Sequence, residues 1–133
     1  MSTPWFVQPG IILFTERYEA CVRFYRDALQ LPVVFDKGHL ICLGFGAAYL
    51  MVEKEGAAVD GAKSRAQNPS ILRFNVADVE AAADMLRGRG IDVEVATFDW
   101  GTIGKFQDPD GNLGELRNHT DEFTVPDTRG RVS

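Results

Sequence analysis

The stretch VADVEAAADMLRGRGIDV, residues 76–93, carries the signals that decide the fold. Asp78 is suited to cap a helix, apolar residues then recur at helical spacing, and Gly88 or Gly90 is suited to end that helix. Short β-favouring apolar groups lie before and after it. We therefore predict a helix that follows a strand at residues 71–76 and precedes three strands, at residues 91–97, 102–107 and 112–118.

The same order of elements occurs in the first half of the chain. Thr15 is a candidate helix cap after an apolar run, and Pro32 closes a helical pattern. The predicted elements are a strand at residues 11–14, a helix at 17–29, and strands at 33–36, 39–43 and 48–53. With an offset of 61 residues, Leu13 falls on Phe74, Glu19 on Glu80, Ala20 on Ala81 and Arg26 on Arg87. The common register predicts an internal duplication of a βαβββ unit and an α+β fold.

The duplication divides the chain into modules. We assign a first module to residues 8–54, a linker to 55–70, a second module to 71–119 and a C-terminal tail to 120–133. The linker is polar and rich in turn-forming residues, so we expect a long surface loop. The sequence DPDG at residues 108–111 has the order of a type I turn, while the polar tail is expected to be loosely attached.

Composition excludes several classes of partner. The 133 residues are 45% hydrophobic and 25% charged, as is typical of a globular protein, and 14 basic against 19 acidic residues give a net charge of −5. Nucleic acid and anionic membrane surfaces are therefore poor partners. We expect no secretory signal and no membrane span, because the longest apolar run, residues 40–52, is too short. Cys21 and Cys42 lie in apolar segments, which favours reduced core thiols and a cytoplasmic location.

Three segments resemble the vicinal oxygen chelate superfamily, which includes glyoxalase I, bleomycin-resistance proteins and extradiol dioxygenases. They are FYRDALQLP at residues 24–32, the segment 76–93 quoted above, and WGTIGKFQDPDGNLGEL at residues 100–116. The resemblance covers residues 10–118 in matching order. It implies two tandem βαβββ modules that form a curved, cleft-lining mixed sheet, and it implies a homodimer.

The resemblance also implies where a divalent metal ion would be held. Catalytic members use one side chain from each of four strands, and the matching positions here are Gly10, a position near Leu50, Ile71 and Glu115. A divalent ion normally needs several imidazole or carboxylate ligands, and only Glu115 is of that type. We therefore predict a cleft with no metal ion or other cofactor.

Strand alternation supplies the other side chains of the predicted cleft. They are mostly apolar with a few fixed charges, which is typical of a small-molecule pocket. Glu115 either pairs with Arg73 or Arg117 across the sheet, or binds a cationic ligand or acts as a general base. The rings of Trp100 and Phe106 either stack on a flat ligand or seal the end of the sheet. The predicted ligand-binding residues are Phe14, Leu50, Ile71, Arg73, Trp100, Phe106, Glu115 and Arg117.

Three functions fit this cleft. The first is a metal-free homodimer that binds a small, partly aromatic molecule, with no catalysed step required. The second is a metal-dependent lyase, isomerase or dioxygenase of the same superfamily that uses Glu115 as one ligand. The third is a non-catalytic interaction module, and a cleft already filled by Trp100, Leu50 and Ile71 would favour it. A stoichiometric divalent ion would favour the second.

Overall fold

The computed structural model describes residues 5–126, which form two βαβββ units in tandem. The first unit contains β1 (Gly10–Thr15), α1 (Tyr18–Val22), β2 (Val33–Asp36), β3 (Leu40–Phe45) and β4 (Ala48–Lys54). The second contains β5 (Leu72–Val76), α2 (Val79–Gly88), β6 (Glu94–Phe98), β7 (Gly101–Gln107) and β8 (Leu113–Asn118). The predicted α+β class and the repeated order of elements are confirmed.

The two helices begin and end differently. The Asp78 carboxylate accepts a hydrogen bond of 3.1 Å from the backbone N–H of Ala81, so Asp78 caps α2 as predicted. Thr15 does not cap α1: its Oγ1 donates to the carbonyl of Glu53, on the neighbouring strand β4. α1 continues as a π-helical turn, Arg23–Ala28, in which the wider backbone spacing completes the predicted helix.

Each unit forms its own four-stranded mixed sheet. The strand orders are β1-β4-β3-β2 and β5-β8-β7-β6, and the first and last strand of each unit pair in parallel. Among residues 5–126, no strand pair joins the two sheets. The predicted cleft-lining sheet is therefore two separate sheets within one chain.

The two units pack together through the helix-covered faces of their sheets. Phe24 and Leu29, at the end of the first helical segment, contact the apolar cores of both units. The rings of Phe45 and Phe74 extend this contact, with centroids 5.1 Å apart. Within residues 5–126, neither α1 nor α2 lies on the opposite face of either sheet, and we call it the open face.

A hairpin turn in the second unit anchors the first. The backbone N–H of Gly111 donates to the carbonyl of Asp108, which confirms the predicted turn. Asp110 is fully buried, and its carboxylate accepts hydrogen bonds of 2.7 and 2.9 Å from the backbone N–H groups of Glu16 and Arg17, just before α1. The negative charge thus supplies acceptors that the start of α1 lacks locally.

The same turn holds two buried side chains of the first helical segment. The Tyr25 hydroxyl donates to the Asp108 carboxylate at 2.7 Å, and the Cys21 thiol lies 3.6 Å from the Asp110 carboxylate. Burial raises the pKa of both groups, and the neighbouring carboxylates raise it further. Both therefore stay protonated as donors. Cys21 and Cys42 are free and buried.

Residues 55–70, which we call the strap, are fixed to the fold although they contain no helix or strand. The backbone N–H of Val59 donates to the carbonyl of Asp110 at 3.0 Å, and that of Lys63 to the carbonyl of Gly111 at 2.9 Å. The strap therefore packs along the hairpin turn. The strap contains no helix or strand, as predicted for a surface loop. These hydrogen bonds fix its path along the second unit.

The described part of the tail is also attached. Asp121–Phe123 form a 3₁₀ turn, and the Phe123 ring lies 5.0 Å from the Arg117 guanidinium. Residues 127–133 of the predicted tail lie outside the described residues. No helix within residues 5–126 is long and apolar enough to cross a membrane.

Replacing the buried carboxylate tests the anchoring turn. We expect Asp110→Asn to lower the free energy of unfolding by about 3 kcal/mol. The hydrogen bonds from the backbone N–H groups of Glu16 and Arg17 would lose their charged acceptor, and one of these donors would face the new amide N–H₂, which cannot accept. Urea unfolding followed by circular dichroism measures this change. Asp60→Asn is the matched control, since the Asp60 side chain is 97% exposed and its ion pair with Arg17 lies at the surface. Equal stabilities of the two variants would contradict the anchoring role.

Candidate functional site

A row of charged side chains crosses the open face of the second sheet. Strand register places Arg73 of β5 beside Glu115 of β8, Glu115 beside Lys105 of β7, and Lys105 beside Glu94 of β6. Side chains at paired positions point to the same face, so the four form one row with alternating charge. We call these four residues the charged row.

The strongest contact in the charged row is the ion pair between Arg73 and Glu115. Arg73 Nε donates to Glu115 Oε2 at 2.7 Å. The Glu115 side chain is only 8% exposed, while that of Arg73 is 41% exposed. A carboxylate so deeply buried needs a compensating cation, which Arg73 supplies from the next strand. Of the two interpretations of Glu115 from sequence, this contact favours the ion pair.

Arg117 faces the same side but is not accessible. It is 3% exposed, and its guanidinium donates to the carbonyls of Trp100 and Asn118 and to the Asn118 side chain. The rings of Trp100 and Phe123 lie on it at 5.2 and 5.0 Å. Nε alone is buried without a hydrogen-bond partner. Arg117 thus links the start of β7 to the 3₁₀ turn. The two rings cover its guanidinium, which leaves little of it exposed for the predicted contact with a ligand.

Trp100 presents an exposed aromatic surface at the edge of the same sheet. Its ring is stacked on Phe98, with centroids 5.1 Å apart and planes 5° apart. Trp100 is 55% exposed and Phe98 46% exposed. The stack provides a flat apolar surface of the kind predicted for Trp100.

Two predicted cleft residues lie in the cores instead. Leu50 is fully buried against α1, and its neighbours Tyr49 and Met51 occupy the open face of the first sheet. Phe106 is 6% exposed in the second core, where it covers Gly114 closely. The placement of Leu50 on the cleft face is therefore wrong, whereas Phe106, although it packs in the core, also lines a cavity together with Leu113 and Glu115. In β4 the predicted alternation was displaced by one residue.

The open face of the first sheet is apolar. Ile12 and Phe14 of β1 are 51% and 50% exposed, and Phe14 lies on the first sheet, apart from the charged row of the second. Tyr49 lies across Gly10, and a Cβ atom at position 10 would overlap its ring. The first position matched to a metal ligand is thus a glycine that lies beside an aromatic ring.

The donor set does not fit a divalent metal ion. Within residues 5–126 no group of three or more His, Cys, Asp or Glu side chains could hold one. Glu115, at the one matched ligand position with a suitable side chain, is already paired with Arg73. His39 lies at the β2–β3 turn, where its Nδ1 is 3.3 Å from the Lys37 carbonyl, and His119 packs near Phe123.

A small cavity lies between the strap and the charged row. Its volume is about 240 Å³, and Ile71 and Leu113 line it together with Glu115 and Lys105. The predicted positions Ile71 and Glu115 therefore meet at one cavity. Sequence reasoning missed Lys105, although the DPDG turn places it directly opposite Glu115. It also missed Lys63 and Arg65 of the strap, which line the cavity through long-range contacts that no local pattern predicts.

The charged row yields a stability prediction. Arg73→Met leaves the buried Glu115 carboxylate without its cation, so we expect a loss of about 1–2 kcal/mol, reduced from a fully buried pair because Arg73 is partly exposed. The double variant Arg73→Met/Glu115→Leu should recover most of this loss, because no unpaired charge remains. Urea unfolding of Arg73→Met, Glu115→Leu and the double variant gives the coupling free energy between the two side chains. Additive losses would show that the ion pair does not stabilise the fold.

Comparison with known proteins assigns the geometry to a family. Residues 7–116 match the model of the Glyoxalase/Bleomycin resistance protein/Dioxygenase superfamily. The uncharacterized protein YraH of Bacillus subtilis is 29% identical over 120 residues, which cover 80% of this chain and 93% of that protein. The crystal structure of SMU.1112c has a TM-score of 0.69 and 25% identity, covering 86% of this chain and 100% of that one.

A further solved structure supports the fold alone. The glyoxalase/bleomycin resistance protein/dioxygenase from Nocardioides has a TM-score of 0.69 and 18% identity, covering 100% of this chain and 92% of that chain.

Proposed function

Because the chain belongs to the Glyoxalase/Bleomycin resistance protein/Dioxygenase superfamily, we propose that it binds a small, partly aromatic molecule without a metal ion. The binding surface is the open face of the second sheet, with the cavity under the strap and the ring surface of Trp100. No bond-forming or bond-breaking step is required of it.

The observation that carries this proposal is the ion pair between Arg73 and Glu115. Arg73 Nε donates to Glu115 Oε2 at 2.7 Å, so the charge of this carboxylate is already compensated by a cation of the chain itself. The other matched positions are Gly10, Ile71 and a position near Leu50. The side chains of these residues supply no metal-binding atom. The row therefore fixes charge within an apolar surface, as binding pockets for organic molecules do.

Exposed rings supply the aromatic part of the proposed specificity. The stacked pair Phe98 and Trp100 offers a flat face at the edge of the second sheet. Aromatic pairs of this kind gain about 0.5–1.5 kcal/mol beyond simple area burial when a further ring joins them. The cavity and the stacked rings therefore offer apolar contact and ring stacking at two places on the same face.

A second copy of the chain completes the proposed site. Within one chain the units pack by their helix-covered faces, so each open face lacks an opposing sheet. Ile12, Phe14 and Phe35 expose apolar side chains on the first sheet, and contiguous exposed apolar patches mark interaction surfaces. We place the first sheet of one copy opposite the second sheet of its partner. The free, buried thiols of Cys21 and Cys42 support the predicted cytoplasmic location.

Metal analysis tests the metal-free site. After dialysis against Mn²⁺, Fe²⁺, Ni²⁺ or Zn²⁺ and removal of free ions, we expect far less than one ion per chain by mass spectrometry of the elements. Glu115→Gln should leave that content unchanged, as should the surface control Glu80→Gln. A stoichiometric ion that is lost only in Glu115→Gln would contradict the proposal and favour the metal-dependent lyase, isomerase or dioxygenase.

The proposed dimer has its own test. Sedimentation equilibrium should give a dimer for the unmodified chain and a monomer for Phe14→Glu, because a carboxylate would be buried in the apolar interface. Met85→Glu is the control: Met85 is similarly exposed, at 48%, but lies on α2. Circular dichroism checks that both variants fold. A dimeric Phe14→Glu, or a monomeric unmodified chain, would show that this face does not carry the interface.

A further inference from the structure

The cavity under the strap combines an apolar floor with a cationic wall. Ile71 and Leu113 form the apolar part, and Lys63, Arg65 and Lys105 line the rest beside Glu115. The volume of about 240 Å³ is close to the lower end of the range of about 300–1,000 Å³ for ligand pockets. Its occupant is therefore small.

The charges around this cavity do not cancel. Within the charged row, two cations face two carboxylates, so the row is neutral. Lys63 and Arg65 are added from the strap, and the cavity lining contains no carboxylate besides Glu115. The charge of Glu115 is compensated by Arg73 at 2.7 Å. An excess of two positive charges thus remains at this cavity, in a chain whose net charge is −5.

The cations are available to a ligand. Lys63 Nζ donates to the neutral Asn112 side chain at 2.8 Å, which leaves further N–H groups on the ammonium. Among the described residues, neither Arg65 nor Lys105 is in an ion pair within 4 Å. An anion between these groups would gain charge-assisted hydrogen bonds without breaking an existing ion pair.

The strap holds the Lys63 ammonium in place before a ligand arrives and fixes the backbone around Arg65. Lys63 is fixed by its backbone hydrogen bond to Gly111, at 2.9 Å. Arg65 lies in a compact turn where the backbone N–H of Ser64 donates to the Gln67 side chain and that of Gln67 donates to the Ser64 hydroxyl. Groups that are already ordered lose less conformational entropy on binding.

We propose that this cavity binds a small organic anion of the carboxylate class. The anionic group lies between Lys105 and the strap cations Lys63 and Arg65, and the apolar body lies over Ile71 and Leu113. This inference rests on the proposed function, because it names the class of the molecule that the same site binds.

A matched pair of probes tests the charge requirement. Isothermal titration calorimetry compares 2-naphthoate with 2-naphthamide, which has the same ring system but no charge. We expect the full-length chain to bind the carboxylate at least about tenfold more tightly, since hydrogen bonds to an ionised group are about twice as strong as neutral ones. Lys105→Gln and Arg65→Gln should each weaken naphthoate binding several-fold and leave naphthamide binding unchanged. Arg23→Gln, which removes an exposed positive charge from the helical segment, should affect neither.

Each other result decides between the two proposals. Equal affinity for both probes would overturn the anion site and leave the binding of a partly aromatic molecule standing. Binding of neither probe would overturn both. A preference for naphthoate that survives both Lys105→Gln and Arg65→Gln, or that falls equally in Arg23→Gln, would show that the cavity under the strap is not the anion site.

Discussion

A carboxylate removed from water must find hydrogen-bond donors, and the fold depends on how the turn at residues 108–111 meets this requirement. The donors to Asp110 are backbone amides in front of α1, and a donor to Asp108 is the Tyr25 hydroxyl. All of them belong to the other unit of the chain. The two units are consequently joined by polar groups of fixed geometry, in addition to the contact between their apolar cores. The strap follows the same turn. One hairpin therefore positions α1, the π-helical turn that continues it, and the strap side of the cavity.

Local sequence was sufficient for the parts of the fold that have short-range causes. Helical spacing, the Asp78 cap and the DPDG turn each gave the correct element, and the 61-residue offset gave the duplication. The phase of β4 was not available locally, because the segment AYLMV is apolar on both faces and either alternation looks acceptable. Leu50 was therefore assigned to the wrong face, while the ionic contact of Glu115 with Arg73 followed from the correct phases of β5 and β8.

The candidate site shows the same division between local and distant causes. Arg73, Ile71 and Glu115 were found because strand alternation and the closing hairpin define their positions. Lys63 and Arg65 were not, because a polar segment with glycine and proline predicts only a loop. Their placement depends on hydrogen bonds to Gly111 and Asn112, about 50 residues further along the chain. A charge that matters for binding can therefore lie in a segment whose composition indicates only a connection.

The close contact between Gly10 and Tyr49 restricts how this surface can change over time. A side chain at position 10, imidazole included, would overlap the Tyr49 ring in its present position, so a histidine there requires that ring to move or to be replaced. The two positions lie on neighbouring strands in direct register, which makes their mutational effects interdependent. A change at position 49 that removes the ring therefore opens position 10 to side chains that the present surface excludes.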